Sequence, residues 1–258
     1  MTTDIWDPGV YRRYAAERQR PFFDLVGRVA AENPEYVVDL GCGTGELTAT
    51  LCRRWPGAAV HGIDSSPAML AKAPPGPTFE VGDIREWRPP RPVDVIVSNA
   101  VLQWVPGHRD LLRRWVGYLA GDGWLAFQVP GNFDAPSHVL IRELCRTKWR
   151  AELGDLVREA PVGTPEEYLD LLAGAGCAVD AWETTYLHVL QGEDAVLNWV
   201  KGTALRPMLD RLPPGRRRSS SPTARASSAR PTRASRTARR SRSGGSSSSR
   251  TGERLARG

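Results

Sequence analysis

Val38-Asp39-Leu40-Gly41-Cys42-Gly43-Thr44-Gly45-Glu46 is the stretch from which the fold is read. Upstream, Tyr36-Val37-Val38-Asp39-Leu40 is a short apolar run that stops at three glycines spaced two apart. Downstream, residues 47–55 carry apolar side chains at helical spacing. The length and β-branching of the run make it a buried strand. Glycine is required where the backbone takes a positive φ or must approach a ligand with no Cβ between them. Strand, glycine-rich bend and helix, in that order, open a doubly wound α/β sheet.

The rhythm continues outward. Residues 59–63, 78–81, 93–98 and 124–129 read as further strands, and 67–73 and 110–119 as helices. Strands alternating with helices require right-handed crossovers and a mostly parallel sheet covered on both faces. An amphipathic helix beginning near Pro21 precedes the first strand. After Pro130 the pattern changes to helices over 137–156, 165–175 and 194–205, with an alternating strand over 178–190 between the last two. The predicted organisation is an α/β domain over 1–212, with a helical cap inserted at about 131–176.

Residues 213–258 are a different polymer. From Arg216 onward there are 13 arginines, 12 serines and a single acid, Glu253. They account for the chain's formal charge of +6, because the preceding residues hold 22 basic and 28 acidic side chains. Such a segment buries too little apolar area to offset its ordering entropy, so a disordered basic tail is expected. Two origins fit the composition: a nucleic-acid-binding arm, or GC-rich coding sequence read out of frame. No aromatic residue interleaves with the arginines to stack bases, so contact with nucleic acid is expected to be non-specific at most. Cys42, Cys52, Cys145 and Cys177 show neither CxxC spacing nor framework density, no apolar run spans a bilayer, and no secretory signal opens the chain; a cytoplasmic location is expected.

Three acids lie at predicted strand ends. Asp39 precedes the glycines. Asp64, 23 residues after Gly41, is where a carboxylate can take both hydroxyls of a ribose. Asp83 follows the third strand, where it could accept from an adenine amine while Ile84 packs on the ring. The fourth strand ends in Ser98-Asn99-Ala100, followed by Leu102-Gln103-Trp104. Each acid also has a plainer reading: Asp39 as a buried hydrogen-bonding acid, Asp64 as a helix cap before Pro67, Asp83 as a turn residue. Their conjunction before a G-x-G-x-G bend favours a bound nucleoside. A nicotinamide dinucleotide is the alternative, against which the glycine spacing and Asp83 speak.

This pattern resembles the class I S-adenosylmethionine-dependent methyltransferases. More closely, VVDLGCGTGELTATL, GIDSSPAML, SNAVLQWVPGH, QVPGNFDAPSHVLIREL and NWVKGTALRP, from about Trp6 to Pro207, resemble the trans-aconitate 2-methyltransferase family. The resemblance implies that Asp39, Gly41, Cys42, Gly43 and Gly45 shape the methionine end of an S-adenosylmethionine pocket. Asp64, Ser65 and Met69 would meet the ribose, Asp83 and Ile84 the adenine, and Asn99 and Trp104 the side of methyl transfer. It also implies methyl transfer to a carboxylate oxygen of a small polycarboxylic acid, giving a monomethyl ester. A carboxylate of pKa about 4 is already ionised at neutral pH, so alignment rather than a general base is the requirement, and no catalytic acid, base or metal is assigned. The substrate's carboxylates call for arginines and hydrogen-bonding groups: Arg18, Arg20 and Arg206, with Tyr11, Gln128, Asn132, Tyr186 and Trp199. A phenol, amine or quinone acceptor remains open, as does a nucleic-acid-binding role through the tail. The family's last helix and apolar strand have no counterpart in the Arg/Ser tail.

Overall fold

The computed structural model describes residues 15–157, 162–190, 194–201, 205–212 and 246–257. Helix α1 (Ala15–Gly27) leads into β1 (Tyr36–Leu40), α2 (Thr48–Arg54), β2 (Ala59–Asp64), α3 (Pro67–Leu70), β3 (Thr78–Val81) and β4 (Val93–Asn99). A 3-10 turn at Leu102–Trp104 precedes α4 (His108–Val116) and β5 (Leu119–Pro130). Helices α5 (Pro136–Arg146), α6 (Arg150–Leu153) and α7 (Pro165–Ala173) follow. Then come β6 (Ala178–Val189), α8 (Ala195–Lys201), α9 (Arg206–Arg211) and β7 (Ser246–Arg257).

The sheet order is β3-β2-β1-β4-β5-β7-β6. Strands β1 to β5 pair in parallel, and β7 pairs antiparallel with β5 from Trp124↔Arg257 to Pro130↔Thr251. The chain winds outward from β1 to β3, then returns to lay β4 on the other side of β1. The carboxyl ends of β1 and β4 therefore flank the topological switch point, where sheets of this kind open a crevice.

The two faces of β1 explain its composition. Val38 and Leu40 join Ile63, Ile96, Leu125 and Phe127 in one core, which also takes Trp115 from α4 and Tyr168 and Leu172 from α7. Val37 joins Phe22, Leu25, Leu51, Val60, Val95 and Val97 in the other, under α1 and α2. Both faces are covered, so the strand is apolar at every position but Asp39. Helix α4 shows the matching one-sided pattern: His108, Leu111, Leu112 and Trp115 are buried, at the spacing that lines one helix face.

The described residues of 18–131, 160–185 and 250–258 form one compact unit, and those of 1–17, 132–159 and 186–249 another. The second is helical, with its own core of Ile141, Cys145, Trp149, Leu153, Leu197, Val200, Leu205 and Leu212.

Four expectations are corrected. The first helix begins by Ala15 rather than near Pro21, which lies inside it. The predicted cap is drawn differently, because α7 belongs to the sheet unit while α8 and α9 belong to the helical one. Its capping box on Thr164 and Glu167 marks α7 as a helix, but only tertiary packing reveals its place: Tyr168 meets Phe127 edge-on at 5.4 Å. The predicted helix over 137–156 is broken into α5, α6 and a 3-10 turn. Finally, Ser246–Arg257 is a strand, so disorder does not hold for that part of the tail. The β5 edge offers a row of backbone donors and acceptors that an extended segment can pair whatever its side chains.

Candidate functional site

The glycine bend is built as its sequence demands. Gly41, Gly43 and Gly45 have φ of 82°, 59° and 72°, a region costly for residues with a Cβ. They are not equivalent. A Cβ on Gly41 would come within 2.3 Å of Val101 Cγ2, and one on Gly45 within 2.5 Å of the Phe79 ring. A Cβ on Gly43 would meet nothing within 4 Å. The outer two glycines let the bend pack against the strands beside it, and Gly43 keeps its open side bare.

Behind the bend, Asp39 is 3% exposed and accepts a 2.6 Å hydrogen bond from Thr48 Oγ1 in the first turn of α2. Burial raises its pKa to about 6; the Thr48 hydroxyl opposes this and the charge of Asp64 adds to it. Asp64, at the end of β2, accepts from Gly43 N at 2.9 Å and from Ser66 N at 2.8 Å. One carboxylate thus ties the glycine bend to the β2–α3 loop. Helix α3 is capped by the Ser66 hydroxyl, so Asp64 is not its cap. Cys42 sits between the acids, where burial and then their charges push its thiol pKa up. Ser65 is exposed and Met69 half-buried.

Asp83 is arranged differently from expectation. Its carboxylate is held by the Arg85 guanidinium, which lowers its pKa, so an adenine amine would share it with that cation. Ile84 is 6% exposed within the core under α4. A cavity of about 540 Å³, lined by Tyr36, His61, Thr78, Glu80, Asp83 and Trp87 among others, opens nearby. Tyr36 and His61 lie on the face of β1 and β2 opposite to Asp39 and Asp64, so this cavity is not the switch-point crevice.

Across the switch point, β4 and β5 finish in register with Asn99 opposite Gln128. The alternation of strand side chains puts both on the same face as Asp39 and Asp64. Asn99 Oδ1 and Gln128 Oε1 are buried and have no hydrogen-bond partner among the described residues. Buried amide oxygens are nearly always satisfied, so this pair marks a place where a ligand's polar atoms fit. Trp104 is 45% exposed at the end of the 3-10 turn.

The polycarboxylate set divides between the two units. Gln128, Arg18 and the exposed Arg20 belong to the sheet unit; Asn132, Tyr186 and Trp199 belong to the helical one. Arg18 Nε and Nη1 are buried, in the first turn of α1. Tyr186 stacks on His188, which lies 5.0 Å from the ring of Trp199. Tyr11 and the side chain of Arg206 lie outside the described residues. Thr48, Phe79, Ala100, Val101 and Gln103 shape the crevice without having been singled out. Thr48, nine residues after Asp39 on the opening turn of a helix, is the one a sequence signal could have found.

A family model described as a methyltransferase domain matches residues 14–181. The trans-aconitate 2-methyltransferase of Streptomyces avermitilis is 54% identical over 220 residues, 80% of this chain and 82% of that protein. The enzyme of that name from Rhodococcus jostii is 52% identical over 212 residues, 81% and 84% of the two chains. Among solved structures, the YcgJ protein of Bacillus subtilis superposes with a TM-score of 0.55 at 13% identity, covering 93% of this chain and 98% of that one; it shares the fold. With a switch-point crevice of this make-up and relatives this similar over four-fifths of its length, the chain belongs to the trans-aconitate 2-methyltransferase family of methyltransferases.

Proposed function

We propose that this chain transfers the methyl group of S-adenosylmethionine to a carboxylate oxygen of trans-aconitate, forming a monomethyl ester. The observation that carries the reading is the meeting, at one switch point, of an open glycine bend, two acids behind it and a facing pair of buried amides. The bare side of Gly43 suits a ligand lying against the backbone, and the buried Asp39 suits its cationic end. When bound, S-adenosylmethionine supplies an electrophilic methyl on a sulfonium centre.

In this reading Asp39, Gly41, Cys42, Gly43 and Gly45 bound the methionine portion. Asp64, Ser65 and Met69 meet the ribose; Asp83 and Ile84 lie toward the adenine. Asn99 and Trp104 border the reacting methyl. Gln128 and Arg18 lie on the acceptor side, with Arg20, Asn132, Tyr186, Trp199, Arg206 and Tyr11 as further contacts to the tricarboxylate. An ionised carboxylate needs no proton removed, so what the chain supplies is alignment and exclusion of water. No helix among the described residues is long and apolar enough to cross a membrane; a cytoplasmic location is part of the proposal.

The test is incubation of the full chain with methyl-labelled S-adenosylmethionine and a panel of trans-aconitate, other polycarboxylates, phenols and amines, with products identified by mass. Base-labile label on trans-aconitate is the expected result. Label on a phenol or amine alone would refute the carboxylate assignment.

A further inference from the structure

We infer that Gln103 is the positioning residue of the crevice: it holds a left-handed turn at Ala100 that aims the Asn99–Gln128 amide pair. The inference deepens the proposed methyl transfer and rests on that reading for its kinetic part.

Ala100 has φ 56°, a conformation that carries strain in a residue with a Cβ and persists only where its surroundings enforce it. Two hydrogen bonds do so here. Ala100 N donates to the backbone oxygen of Gln128 at 3.0 Å, and the carbonyl of Ala100 accepts from Gln103 Nε2 at 2.6 Å. The first extends the β4–β5 ladder by one residue. The second comes from a side chain only 7% exposed, lodged in the 3-10 turn that follows.

The consequences reach both walls of the crevice. Asn99 directly precedes the turn, so the Ala100 backbone sets where its amide lies beside Gln128. Val101 directly follows it, and its Cγ atoms fill the space that a Cβ on Gly41 would need. One side-chain donor therefore fixes a strained residue between the groups on the β4 side and the bend on the β1 side. A displacement of about 1 Å at a reacting centre can cost about 100-fold in rate, so a loosened turn is felt as lost turnover.

The test replaces Gln103 by methionine, of similar length but with no donor, alone and together with Ala100→Gly. Glycine takes a positive φ without strain, so it removes the need for the clamp. The expected result is a fall in kcat of about 10- to 100-fold for Gln103→Met, with KM for trans-aconitate changed much less. That loss shrinks several-fold in the Ala100→Gly background. Hydrogen exchange at the Ala100 amide is faster in Gln103→Met than in the unaltered chain. Unchanged kcat, unchanged exchange, or a loss that glycine does not relieve would overturn the assignment. If Gln103→Met does not fold, Gln103→Asn, whose amide is drawn back by one methylene, is compared in the same way. An unaltered chain that methylates no polycarboxylate would refute the proposed reaction instead, while the exchange comparison still judges Gln103.

Discussion

Replacing Asp39 by asparagine should stabilise the protein free of ligand while weakening its hold on S-adenosylmethionine at the proposed methionine end. The carboxyl is fully enclosed, and its pKa stands at about 6 rather than 3.8. Holding it ionised in the folded state costs about 3 kcal/mol relative to the unfolded chain, at 1.36 kcal/mol per pH unit. Asparagine keeps an oxygen to accept from Thr48 and carries no charge. Above about pH 6 the variant should therefore be more stable by up to about 3 kcal/mol, or roughly 6–12 °C in Tm for a chain of this size. The sign follows from the raised pKa: the folded wild type holds its proton more tightly than the unfolded chain, so it loses stability as pH climbs from about 4 to about 6. The advantage of the variant must then shrink on acidification and vanish near pH 4. Thermal unfolding across that range, with calorimetric titration of S-adenosylmethionine at pH 7.5, measures both effects. A variant less stable than wild type at neutral pH, or a Tm difference independent of pH, would refute the reasoning.

Other consequences can be checked alongside. Gly41→Ala should cost about 2–5 kcal/mol in urea unfolding, from positive-φ strain plus the collision with Val101, and Val101→Ala should relieve part of it. Gly43→Ala carries only the strain, about 1–2 kcal/mol, so its main effect should be lost cofactor affinity; equal stability losses for the two variants would contradict the assigned difference. His108 Nδ1 faces the Val105 carbonyl, so Nε2 accepts from the Tyr168 hydroxyl at 2.6 Å. Tyr168→Phe should cost about 1–3 kcal/mol, and an unchanged urea midpoint would show the bond to be dispensable. Removing residues 246–258 bares the β5 edge from Trp124 to Pro130, and a lower Tm with concentration-dependent light scattering is expected; a monodisperse, equally stable product would argue that β7 adds nothing. Arg206→Ala should raise KM for the tricarboxylate at unchanged cofactor affinity, and unaltered kinetics would remove it from the substrate site.

The parallel half of the sheet was legible because its signals are local. The run at Tyr36, the glycines after it and the apolar VDVIVS segment each announce a strand, and β1 to β4 fall within a residue of expectation; β5 begins earlier, at Leu119. Pro21 misled because proline marks the first helical turn more often than the interior, yet here the helix runs through it. The strand at Ser246 was invisible to a reading based on apolar burial, since its register is carried by backbone pairing. In the crevice, Asp39 and the glycines could be named from spacing alone. The bond from Gly43 N to Asp64, the turn at Ala100 and the reach of Gln103 could not, because each joins groups that only the fold brings together. At Asp83 the strand pattern gave no sign of the cation two residues on, Arg85, which pairs with its carboxylate.

Asp64 fastens two loops with one side chain, a bond from each oxygen. A change at this residue would release the glycine-rich bend, so in the proposed ribose-binding role selectivity and loop shape would be inherited together. Recoding the pocket would require compensating changes around Gly43 and Ser66 in the same step. If Asp64 meets the ribose as proposed, the choice of cosubstrate is tied to the backbone itself.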